Sequence, residues 1–147
     1  MRVTIAGTRT ITGPDQVLSV TNWWDGPLEG VALFEGSPHR FARVEERKHS
    51  RGYSGVFKLT ALSEETAALE AEQWAQWLRW RRAWEAGETP RETHPALPGD
   101  AARSKEICAM LAAAPTAEPV RRVGVFYESR DALRDCSARA RVRWSKS

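Results

Sequence analysis

Cysteine is scarce: Cys108 and Cys136 are the whole complement and stand in no C-x-x-C spacing, which excludes a disulfide scaffold and a four-cysteine zinc site. Both are expected to be buried thiols. Histidine is almost as sparse. His39, His49 and His94 form neither H-E-x-x-H nor an i, i+4 ligand pair, so neither a metal nor a cofactor is expected. The longest uninterrupted apolar run, 107–114, has eight residues, against the ~20 that a membrane-spanning helix needs. The first twenty residues also lack an apolar signal core, so a cytoplasmic chain without a membrane partner is expected. The spacings G-x-x-x-x-G-K-[ST], G-x-G-x-x-G and G-x-S-x-G are all absent. Phosphate loops, dinucleotide folds and nucleophile elbows therefore have no support.

What is present suffices for one folded unit over residues 1–147. The chain is 41% hydrophobic and 28% charged, with seven tryptophans, a globular composition rather than a disordered one. The formal charge of +3 is uneven: +2 over 1–60, −4 over 61–100 and +5 over 101–147. After residue 120, eight basic residues face three acids, a field that attracts phosphates or an acidic protein surface. The alternative is a solvated edge strand protected by arginine.

Strands are expected at 2–6, 16–22, 29–34, 39–45, 55–62 and 120–128 from β-branched and aromatic residues in near alternation. Val44 breaks the period of two in the fourth-decade hairpin, which suggests a bulge. Trp24-Asp25-Gly26-Pro27 and Glu35-Gly36-Ser37-Pro38 read as turns. Ser63, followed by Glu64 and Glu65, caps a long helix that runs to Ala86 and stops at Gly87. The core is expected to lie along this helix. Residues 87–99 form a long connection holding prolines and glycines, either a packed crossing or a lid. Asp100 is expected to cap a second helix with Ile107, Met110 and Leu111 on one face. Residues 129–136 are ambiguous between loop and short helix. Ala138, Ala140, Val142 and Trp144 alternate with Arg139, Arg141 and Arg143, placing three guanidinium groups on one strand face. The fold class is α+β: a bent antiparallel sheet covered by one long tryptophan-rich helix and one shorter helix.

Four tryptophans, Trp74, Trp77, Trp80 and Trp84, lie on the long helix. At 100° per residue Trp74, Trp77 and Trp84 share a face while Trp80 sits at its margin. Either all fill the groove between helix and sheet, or the margin with Trp80 and Arg81 stays exposed as a partner-binding hot spot. A nucleobase-stacking platform is a narrower form of the second reading. Trp23 and Trp24 are adjacent, so if one enters the core the other faces outward. Asp25 caps its turn or, if it meets His39, could orient a tautomer for acid–base work. His94 is read as a structural residue on a stiff extended segment.

The run from Trp24-Asp25-Gly26-Pro27 to Gly30-Val31-Ala32, then Gly36-Ser37-Pro38-His39-Arg40-Phe41 and Thr93-His94-Pro95-Ala96-Leu97-Pro98, resembles a family of short uncharacterised bacterial proteins over residues 17–114. The resemblance implies a bacterial cytosolic source and carries no catalytic residue. The leading expectation is a non-catalytic binding or regulatory protein that recognises a protein partner through Trp23, Trp24, Trp80, Arg81, Arg139, Arg141 and Arg143. Nucleic-acid binding by the C-terminal arginine strand is one alternative. A small enzyme with an Asp25/His39 pocket under a lid at 87–99 is the other.

Overall fold

The computed structural model describes residues 14–47, 52–127 and 129–146. The strand expected at 2–6 and the loop histidine His49 lie outside them. Six strands follow one another as antiparallel neighbours: β1 (Asp15–Trp23), β2 (Pro27–Phe34), β3 (Ser37–Arg47), β4 (Tyr53–Ala61), β5 (Val120–Tyr127) and β6 (Arg141–Ser145). Helices α1 (Glu64–Glu85) and α2 (Ala101–Ala113) are inserted between β4 and β5, and α3 (Arg130–Asp135) joins β5 to β6.

The α+β class holds, but the sheet does more than bend. β6 returns to β1 through Asp15↔Val142 and Gln16↔Arg141, supported by the Val17 N–H donating to the Ala140 carbonyl at 3.0 Å, and the six strands close into a barrel. Alternation of side chains along each strand turns one face of the closed sheet inward. Phe41, Phe57 and Phe126, from β3, β4 and β5, are fully buried, and Trp144 of β6 packs against all three at centroid separations of 6.3, 5.7 and 5.8 Å. Trp144 Nε1–H donates to the Leu33 carbonyl of β2 at 3.0 Å, so the ring's one polar atom is satisfied. A sheet that buries its inner face against itself needs no helical cover. The core therefore lies inside the barrel rather than along α1, whose buried residues are Thr66, Gln76 and Trp80.

Local signals act as read. The β3–β4 register shifts between Arg43 and Glu45, leaving Val44 outward and exposed. Ser63 caps α1, its hydroxyl accepting the Thr66 N–H at 3.1 Å, and Gly87 takes the left-handed φ of 75° just beyond the helix. Asp100 departs from expectation. It makes no cap bond at α2, because its carboxylate takes the Arg79 guanidinium at 3.0 and 3.1 Å. Met110 is exposed although Ile107, one turn earlier, is fully buried. The ambiguous stretch becomes α3, capped by Ser129 on the Ala132 N–H at 3.2 Å, and its Leu133 is fully buried in the barrel core. No helix among the described residues is long and apolar enough to cross a membrane.

Candidate functional site

One rim of the barrel gathers the β1–β2 turn, the first residue of β4 and helix α3. Trp23, Trp24, Asp25, Tyr53, Arg130 and Arg134 line an open cleft of about 680 Å³ there. Its floor is aromatic: Trp23 meets Tyr53 edge to face at 5.1 Å, and the Arg134 guanidinium lies 5.9 Å from the centre of the Trp23 ring. Gly26 makes this possible. Its φ is 121°, and a Cβ there would stand 3.0 to 3.2 Å from the Tyr53 side chain. Asp25 also takes a positive φ, 53°, and the tight reversal sends neighbouring indoles opposite ways. Trp23 packs against the core, whereas Trp24 is 75% exposed.

The pairing of Asp25 with His39 fails on topology. His39 is opposite Ala32, five residues along β2 from Pro27, a separation of roughly 17 Å at ~3.3 Å per residue, and Asp25 lies beyond Pro27 at the other end of that strand. His39 is buried, its Nδ1–H donating to the Ser37 carbonyl at 2.9 Å and its ring set against Phe34. The 87–99 connection packs onto the fold through Thr89 and Ala96, both buried.

Trp80 is the clearest correction. It is 5% exposed, because the connection folds back over it: Nε1–H donates to Thr93 Oγ1 at 2.8 Å, His94 meets it edge-on at 4.7 Å, and Trp84 stacks on it at 5.7 Å. Trp84 is the half-exposed member of the pair. Arg81 is also committed within the fold, pairing with Asp135 of α3 and lying 5.1 Å over Trp77. Two further ion pairs, Arg79 with Asp100 and Arg103 with Glu72, clamp α1 to the segment that leads through α2. The hydrogen bonds from Arg103 hold the Glu72 carboxyl below its ordinary value.

The C-terminal arginines do not share one strand face. Arg139 precedes β6 and sits in its entry turn, while Arg141 and Arg143 alternate with the buried Val142. Arg141 donates to the Ala138 and Ala140 carbonyls at 2.6 and 3.0 Å, stiffening that turn. β6 is paired on both sides, so the edge-strand reading is also set aside, since a closed barrel has no edges. Arg130, Arg134 and Tyr53 were not picked out by sequence reasoning. A signal existed: if 129–136 is helical, Arg130 and Arg134 are i, i+4 and share a face.

Among the described residues, no group of three His, Cys, Asp or Glu side chains could hold a metal ion. The two cysteines differ sharply. Cys108 is exposed and Cys136 only half-buried, where both were expected inside, yet burial, and then the Asp135 carboxylate, push the Cys136 thiol up to about 12. Because the thiolate is the reactive form, alkylation at pH 8 is expected to label Cys108 and spare Cys136 until the chain is unfolded, as peptide mapping by mass spectrometry would show. The raised Cys136 value favours the folded state while the unfolded thiol is protonated. That stability is lost as pH climbs from the ordinary thiol value of 9.0 toward about 12. No family model, curated protein or solved structure matches the chain.

Proposed function

We propose that this chain is a non-catalytic binding protein that receives a protein partner on the rim formed by Trp23, Trp24, Asp25, Tyr53, Arg130 and Arg134. The observation that carries the reading is the 75% exposure of the Trp24 indole on a turn whose backbone is otherwise tightly constrained. An indole directed out of the core by this turn leaves nearly all its surface open to burial against a partner, and tryptophan and arginine are the residue types that dominate binding hot spots. Arg130 and Arg134 flank the aromatic floor, so the complementary surface presents a carboxylate beside an apolar side chain. Trp80 and Arg81, both spent on internal packing, are not part of this surface.

The test is affinity capture from source-cell lysate with the wild-type chain and two single-indole variants. Trp24→Ala should fold with unchanged thermal midpoint and lose the captured partner, by about 2 kcal/mol or more of binding energy for a central indole. Trp84→Ala, which removes an exposed ring on α1, should retain it. Equal capture by Trp24→Ala would overturn the reading. So would recovery of nucleic acid instead of protein, with retention falling steeply between low and moderate salt.

A further inference from the structure

The barrel rim carries one acid and one base that nothing neutralises. Asp25 and Arg130 are both exposed and line the same cleft, yet among the described residues neither enters an ion pair. Arg134 differs, its guanidinium being set against the Trp23 ring. The apolar features are divided in the same way. Trp24 projects outward, and beside it the edge-to-face pair of Trp23 and Tyr53 makes an aromatic floor that the cleft leaves open. One surface thus holds a projecting ring and a hollow to receive one, together with a carboxylate and a guanidinium that do not meet.

These features select a partner. In a two-fold contact residue i of one molecule meets residue j of the other and j meets i, so a surface pairs with itself only if it holds both members of every match. The rim does. Positions 24 and 25 set an apolar ring next to a carboxylate, which is the complement that the aromatic floor and Arg130 require. An acidic peptide or a nucleic acid would satisfy Arg130 but bring like charge against Asp25, and such juxtapositions are what suppress wrong partners. Granted that the rim is a docking surface, on which this inference depends, we propose that its partner is a second copy of this chain, with Trp24 of each copy seated on the Trp23 and Tyr53 floor of the other and Asp25 of each opposite Arg130 of the other. The contact is small. Two indoles of ~150–250 Å² each, with the turns and helix ends around them, fall at the low end of interface sizes, below about 1,200 Å² in total. The dimer is therefore weak, with a dissociation constant of about 10–100 μM.

The experiment is sedimentation equilibrium of the purified full-length protein from about 5 μM to about 1 mM, across which the mean mass should rise from 16.5 kDa toward twice that value. Trp24→Ala should weaken association by about tenfold or more, and Trp84→Ala should leave it unchanged. Asp25→Lys and Arg130→Glu should each self-associate about tenfold more weakly, and an equimolar mixture of the two should recover the wild-type affinity, because the reversed charges recreate both pairs across the contact. If lysine at the left-handed φ of Asp25 prevents folding, Asp25→Asn, which tolerates that backbone, should weaken association about threefold and decides together with Arg130→Glu. A chain that stays monomeric to about 1 mM would overturn the self-pairing, as would undiminished association of Trp24→Ala or failure of the mixed charge variants, both folded, to associate. The two readings of the rim fail separately. Capture of a different protein from lysate by a monomeric chain, lost on Trp24→Ala, would overturn the second copy and uphold the docking surface; a monomeric chain whose capture Trp24→Ala leaves untouched would overturn both.

Discussion

Alanine in place of Phe126 is expected to remove about 3–5 kcal/mol of folding stability, the usual cost of truncating a buried phenylalanine. The ring is fully buried and touches Phe41 at 5.1 Å, Phe57 at 5.3 Å and Trp144 at 5.8 Å. These four rings come from four different strands, so the void cannot be filled by shifting one element. Total stabilities of small domains are about 5–15 kcal/mol, and the loss is therefore a large share of the whole. With m-values of about 1–3 kcal/mol/M, urea unfolding should show the midpoint falling by about 2 M at constant slope. A drop of less than about 1 kcal/mol, the level of ordinary surface changes, would mean that the barrel interior is not the main core.

Gly30→Ala is expected to be comparably damaging for the opposite reason. A Cβ at this position would stand 2.0 Å from the Ser19 carbonyl oxygen and 2.8 Å from Phe41 Cζ. The first obstacle is backbone of the neighbouring strand, where β1 and β2 are in register at Val20↔Gly30, and it cannot rotate away. Overpacking a closed core usually costs about 1–3 kcal/mol and occasionally more. A clash with backbone places this substitution at or above the top of that range. Gly36→Ala is the proper comparison, because φ there is +83° but no atom lies within 4 Å. It should cost only about 1–2 kcal/mol, the strain of a left-handed residue. Thermal melts of the two variants should separate clearly, and equal midpoints would show that the β1–β2 contact is loose enough to admit a methyl group.

The candidate site was partly legible. The Trp-Asp-Gly-Pro turn advertised itself by composition, and the rule that adjacent strand residues face opposite ways separated Trp23 from Trp24 in kind. Which of the two is outside was not readable, because it depends on where α3 and Tyr53 pack. The long helix shows the limit more sharply. Its 100° spacing gives the angular position of each indole, but burial is decided by what arrives from elsewhere in the chain. Here the 88–97 segment folds back and seals Trp80 beneath Thr93 and His94, reversing the expected order of exposure between Trp80 and Trp84.

The sequence by itself determined the local grammar of this protein: where strands run, where the bulge at Val44 falls, where Ser63 starts a helix and Gly87 ends it. These are short-range matters, decided by backbone freedom, side-chain alternation and caps within a few residues. Only the tertiary structure decided that the sheet closes, that the core is a knot of aromatic rings inside it rather than a layer under α1, and that Trp24 is the outward indole while Arg81 is held by Asp135 of α3. Those outcomes depend on contacts between residues far apart in the chain. Trp144 reaches across to Leu33, and Asp15 pairs with Val142; no local pattern encodes the partner at the other end of such a contact.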